Sequence, residues 1–311
     1  MPQSSTTPAP MGPAPMGQSG PMSVPATAPA GDFVLILSCP DRPGIVHAVS
    51  GFLVQYGGNI LESQQYGDRL TNRFFMRIDF VLPDPIAAET LRSEFVVVAE
   101  EFAMEFEIWD ARAPYRTLIM VSKHLHCLND LLFRTSTGSL QVEVPAIVSN
   151  HSDAKALATS YGIPFHHVPV TSDTKAEAEA ELLRLVKEHD IHLVVLARYM
   201  QVLSDGLCRE LSGKAINIHH SFLPSFKGAR PYHQAFDRGV KLVGATAHYV
   251  TPDLDEGPII EQDVLRVDHG YDQDQLVSAG RDVEAQVLSR AVRWHSQSRV
   301  LLNGNRTIVF R

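Results

Sequence analysis

Five short apolar runs, TLIMVS (117–122), PAIVSN (145–150), FHHVPV (165–170), HLVVLA (192–197) and AINIHH (215–220), recur through the middle of the chain. Amphipathic segments such as TKAEAEAELLRLVKEHD (174–190) separate them. Apolar runs of this length are buried on both faces, and a helix between consecutive runs returns the chain to the same edge of the sheet. The pattern therefore predicts an α/β domain over about 115–311, doubly wound around a mostly parallel sheet. In such sheets the ligand crevice lies outside the carboxyl ends of the strands.

The chain before it follows a different period. FVLILS reads as a strand, and GIVHAVSGFLVQYGG sets Ile45, Val49, Phe52, Leu53 and Tyr56 on one helical stripe ending at a glycine pair. NILESQQY reads as a second strand, and RFFMRIDF alternates Phe74, Met76, Ile78 and Phe80, giving one buried face. A helix near 85–101 and a strand alternating Phe102, Met104, Phe106 and Ile108 complete a β-α-β-β-α-β order over 31–110, with helices on one face of an antiparallel sheet. The stretch CPDRPGIVHAVSGFLVQYGGNI resembles the ACT family of amino-acid-binding regulatory domains, through Asp41, Pro43, Gly44 and Ile45 in the first turn and Asn59 at the second strand. Gly44 and the amides at the helix start can receive a carboxylate, and Asp41 an ammonium. The same residues also make a plain turn capped by Asp41. The resemblance implies an effector site at Asp41, Gly44, Ile45 and Asn59 for an amino acid such as glycine or methionine. It also implies a dimer or higher homo-oligomer.

Composition narrows the partners. Residues 1–30 hold no charged side chain and are rich in Pro, Ala, Ser and Gly, so they read as a mobile tail. They have neither the basic start and apolar core of a signal peptide nor the length of apolar sequence that spans a membrane. A net charge of -8 and the lack of any cluster of five Lys or Arg residues exclude an electrostatic grip on nucleic acid or an anionic membrane. Three scattered cysteines, Cys39, Cys127 and Cys208, make neither a disulfide framework nor a CxxC metal site, and a reducing cytoplasm is the expected compartment.

The chemistry concentrates where the last of the five runs ends. In INIHHSFLPSFKGARPYHQAF (216–236), Asn217 and His219 are two apart and share a strand face, while His220 is expected on the other. Downstream, LVGATAHYVTPDLDEGPIIEQDV gives a strand, a loop bracketed by Pro252 and Gly257 and carrying Asp253 and Asp255, and a further strand. An amide, an imidazole and a carboxylate at neighbouring strand ends suit a reaction passing through a tetrahedral oxyanion. A metal hydrolase built from HLH, FHHV and NIHH is a poorer reading, because adjacent strand histidines diverge. No metal is expected.

These two stretches resemble the formyl-transfer fold shared by glycinamide ribonucleotide transformylase, methionyl-tRNA formyltransferase and formyltetrahydrofolate deformylase. The resemblance places the catalytic Asn, His and Asp on Asn217, His219 and Asp255. It places a folate pocket on LARYMQVLS (196–204), through Met200, Gln201 and Leu203, and on Val250 to Asp255, including Asp253. The first strand is followed by MVSKHLHCLNDLL, which has no glycine to wrap a phosphate, and no basic RNA-binding domain is evident after the catalytic segment. An ACT-like domain ahead of this fold is the deformylase arrangement. It implies hydrolysis of 10-formyltetrahydrofolate, a substrate rather than a cofactor, with formyl transfer to an unphosphorylated amine as the alternative. Lys123, His124 and His126 then fall where the transferases bind their acceptor.

Overall fold

The computed structural model describes residues 31–221 and 231–311. Residues 1–30, read as a tail, and residues 222–230, within NIHHSFLPSFKGARPYHQA, lie outside the described residues. The chain begins with β1 (Gly31–Pro40), α1 (Ile45–Gln55), β2 (Asn59–Asp68), β3 (Arg73–Leu82), α2 (Ala88–Phe102) and β4 (Glu105–Asp110). The four strands form one antiparallel sheet in the order β2-β3-β1-β4. Phe33, Leu35, Leu37, Ile78 and Phe80 on its inner face pack against Val49, Phe52, Leu91 and Phe95 of the two helices. This is the expected βαββαβ order with both helices on one face.

Gly44 starts α1 with φ 99°, a left-handed conformation that strains any side chain. At the other end of this unit Phe102 closes α2 instead of opening the last strand. Ala103 turns the chain at φ 51°, and the Met104 amide donates back to the Ala99 carbonyl at 2.8 Å. The alternation expected from Phe102 is helix first and strand only from Glu105.

The second unit comprises β5 (Thr117–Val121), α3 (His126–Ser136), β6 (Ile147–Ser149), α4 (Lys155–Ser160), β7 (Phe165–His167), α5 (Lys175–Glu188), β8 (Leu193–Leu196), α6 (Asp205–Glu210), β9 (Ala215–His219), α7 (Pro231–Asp237), β10 (Leu242–Tyr249), β11 (Ile259–Arg266) and α8 (Gln273–Ser296). Its seven strands run β11-β10-β9-β8-β5-β6-β7. β5 to β9 are mutually parallel, and β10 runs antiparallel to both its neighbours. The chain winds one way from β5 through β6 to β7 and then crosses to β8 and β9. The switch point, with its crevice, therefore falls at the carboxyl ends of β5 and β8. The long helix α8 starts in a capping box between Asp272 and Gln275 and buries Val287, Leu288 and Ala291 against the sheet.

After α8 the chain forms a hairpin, β12 (Val300–Asn303) and β13 (Arg306–Val309). The hairpin explains a second departure from the sequence reading. The outer face of β3 is also covered: Phe75 is fully buried with Leu301 and Phe310, and Arg77 is 2% exposed. Arg77 is satisfied by Glu62, by Asp79 and by the Gln297 carbonyl at 2.9 to 3.1 Å.

Candidate active site

β9 and β10 pair antiparallel, with Asn217 opposite His248 and His219 opposite Thr246. Asn217 and His219 thus point to one face at the carboxyl end of β9, as their spacing requires. The loop after β10 is folded back on its own strand: a Cβ on Gly257 would lie 1.8 Å from the Tyr249 carbonyl oxygen, so only glycine fits this approach. The folding back aims Asp255, itself at φ 58°, into the strand ends. Its Oδ2 meets Nδ1 of His219 at 3.1 Å, and its Oδ1 lies 3.6 Å from Nε2 of His248.

Burial works to raise the Asp255 carboxyl, but the hydrogen bonds and charges of His219 and His248 outweigh it and hold the group well below the usual carboxylate range. His248 was not singled out in the sequence. Its Nδ1 donates to the Tyr249 carbonyl at 2.9 Å, and its Nε2 lies 3.3 Å from the amide nitrogen of Asn217. It therefore ties the amide and the carboxylate into one set. The available signal was its place opposite Asn217, which only strand pairing reveals. The Ser221 hydroxyl, also missed, sits 2.7 Å from Nε2 of His219.

These groups open onto a cavity of about 860 Å³. Met200, Gln201, Leu203 and Val250 line it, as the resemblance implies. Val202 and Leu254 join them, with 58% and 62% of their surface exposed, so the mouth offers apolar surface that a flat ring can cover. The Ser122 hydroxyl receives the Met200 amide at 2.9 Å and donates to Asn150 at 2.7 Å, fixing the backbone of this wall. Asp253 stands apart. It is exposed and outside the lining, and its carbonyl serves the loop by accepting from Thr251 at 3.0 Å.

Behind the cavity lies a buried polar cluster centred on Glu284 of α8, which is 1% exposed. Its carboxylate receives the Tyr232 hydroxyl at 2.6 Å and lies 2.8 Å from His126 Nε2 and 3.3 Å from Arg198 Nε. Lys123, His124 and His126 do not line the cavity, and His126 is turned to Glu284 instead. Ligand-type atoms of His126, Cys127 and Glu284 fall within 4.8 Å of one another. The donor set fits a metal poorly, because the guanidinium of Arg198 already sits against the same carboxylate oxygen and burial pushes the Cys127 thiol up.

The effector candidates do not converge. Asp41 and Gly44 lie at the carboxyl end of β1, beside Gly67 near the end of β2, whereas Asn59 begins β2 opposite Val81. Nine residue steps of strand, roughly 30 Å, separate these ends. Ile45 is 2% exposed and belongs to the core, so only its backbone is available to a ligand.

Comparison with known proteins adds the family. The formyl transferase family model matches residues 115–292, and the ACT domain model matches 33–96. A formyltetrahydrofolate deformylase of Corynebacterium sp. (strain P-1) is 57% identical over 89% of this chain and 98% of its own length. The crystal structure of a formyltetrahydrofolate deformylase from Burkholderia mallei superposes with a TM-score of 0.87 at 53% identity, covering 90% of this chain and all of that one. A glycinamide ribonucleotide transformylase from Symbiobacterium toebii covers 64% of this chain and 95% of its own, with a TM-score of 0.60 at 27% identity.

Proposed function

This chain belongs to the formyltetrahydrofolate deformylases, and from that premise we propose that it hydrolyses 10-formyltetrahydrofolate to formate and tetrahydrofolate at Asn217, His219 and Asp255. The observation that carries the assignment of roles is the meeting of these three side chains at strand ends on a cavity with an apolar mouth. Attack on the formyl carbon moves charge onto its oxygen. The Asn217 amide and the imidazolium form of His219 are the donors placed to receive that charge. Asp255 anchors His219 and His248, stays ionised, and accepts a hydrogen bond from the attacking water. The Ser221 hydroxyl holds the second nitrogen of His219, from which a proton can pass to N10 as the C–N bond breaks. No step calls for a metal or an organic cofactor.

The pteridine ring lies against Met200, Val202, Leu203 and Val250. The ACT-like unit supports control by an amino acid such as glycine or methionine, its turn at Gly44 offering helix-start amides to a carboxylate. A homo-oligomer fits the same reading, since β2 is an edge strand whose Leu61 is 60% exposed.

The test is formate release from 10-formyltetrahydrofolate by the purified chain with no amine added, run beside Asp255→Asn. Release by the wild type and a fall on the order of 100-fold or more in the variant are expected. Folate binding without release would turn the assignment to formyl transfer onto an amine.

A further inference from the structure

His220 is conspicuous in the sequence and unused by the three residues above. β9 ends at His219, so strand alternation no longer governs the next residue. The ring of His220 does not point away as expected but lies over that of His219, with centroids 5.0 Å apart and planes 24° from parallel. It lines the same cavity as Asn217 and Asp255. The ring of Tyr232, with its hydroxyl fixed on Glu284, lies 6.4 Å away on another side, and Arg198 is held on the same carboxylate. Among the described residues, no group hydrogen-bonds to its ring nitrogens.

The surrounding charges set its state. Burial first, and then the charges of Arg198 and His219, push the imidazole down to about 4, against the opposing pull of Glu284 and Asp255. At neutral pH it is an uncharged imidazole with a free lone pair beside the reacting centre. Asp255 differs in its surroundings, since its two oxygens face the imidazoles of His219 at 3.1 Å and His248 at 3.6 Å. A carboxylate so engaged serves as an anchor for those rings.

We propose that His220 takes the proton from the attacking water and is a further catalytic residue of the site, an inference that rests on the hydrolysis reading above. The water oxygen bonds to the formyl carbon while one of its O–H bonds breaks, the proton passing to His220. The carbonyl electron pair moves onto the oxygen held by Asn217 and His219. When the C–N10 bond breaks, its electron pair goes to N10, which takes a proton from His219. His220 then releases the proton it gained to solvent, His219 recovers from solvent the one it gave up, and formic acid loses its own proton to solvent. An amine acceptor is already a nucleophile in its neutral form, whereas water needs this base.

The experiment compares two acceptors on the full chain and on His220→Gln and His220→Asn. Formate release reports water, and formhydroxamate formation from added hydroxylamine reports a nucleophile that needs no base. Hydrolysis is expected to fall on the order of 100-fold while hydroxylamine transfer and folate KM stay within about threefold. An equal loss of both reactions would make His220 a structural or oxyanion group and overturn the inference. So would hydrolysis by either folded variant within about threefold of wild type. A wild type that released no formate would instead remove the hydrolysis reading, and this inference with it.

Discussion

At the scale of single residues, the site separates side chains that bear charge from those that set their geometry. On the proposed hydrolysis, Asn217 and His219 are the donors for the negative charge that develops, and the apolar wall of Met200, Leu203 and Val250 is separate from them. Asn217→Ala should therefore lower kcat by on the order of 100- to 1000-fold with KM changed only a few-fold, measurable by steady-state formate release. A matching loss in KM would mean that the amide holds the substrate rather than the transition state. Asp255 adds a pH argument. Its folded carboxyl is depressed, so its contribution to stability is fully present above the unfolded value of about 3.9 and is lost only as pH falls below that. Asp255 therefore remains ionised at every pH at which the enzyme is assayed near neutrality, and any acid limb of activity belongs to another group.

At the scale of elements, position is set by backbone packing that a linear pattern expresses only in part. The loop between β10 and β11 delivers Asp255 because Gly257 lies against the Tyr249 carbonyl. Gly257→Ala puts a methyl into a backbone atom that cannot move aside. We expect a loss of about 1–3 kcal/mol, seen as a lower Tm in a thermal melt, and a fall in kcat beyond the stability loss, as Asp255 is displaced from His219. An unchanged melt with full activity would mean that the loop re-forms elsewhere.

The strands were legible as alternating runs in the first unit and as short continuous apolar runs in the second, and the shared face of Asn217 and His219 follows from the period of two. His248 was not, since its value comes from lying across the ladder from Asn217, a long-range pairing that no local period encodes. His220 was misplaced because alternation was carried one residue beyond the end of β9. The C-terminal hairpin has a weak sequence signature, the turn signal NGN at 303–305 between two strands of only four residues each.

At the scale of the whole molecule, the hairpin joins the two units. Phe75 of β3 is buried with Leu301 and Phe310, while Asp68 at the end of β2 accepts from Asn303 at 2.7 Å and from Arg306 at 3.0 Å. Arg299 reaches Glu62 at 2.9 Å. Between Asn303 and Arg306 the turn carries Asn305, which lines the catalytic cavity, and Thr307 donates to the carbonyl of Ile259 on the same cavity's edge. The carboxylate of Asp68 is thus the acceptor on which the hairpin is held to the ACT sheet. Hydrogen bonds from the Leu70 amide and Asn303 keep it below the usual range and ionised at neutral pH.

Asp68→Ala leaves the Asn303 amide and the Arg306 guanidinium without that partner while the apolar contact at Phe75 stays. The two units should then unfold less cooperatively. A single calorimetric transition in the wild type is expected to broaden or split in the variant, with the ACT unit melting first. Folate KM is expected to rise as the Asn305 turn loosens at the cavity. A single transition at unchanged Tm, with unchanged KM, would place the coupling in the contacts that remain, Phe75 with Leu301 and Phe310, Arg299 with Glu62 and Arg77 with the Gln297 carbonyl. Phe75→Ala, which removes the apolar part of those contacts, would then be the next substitution to test by the same melt.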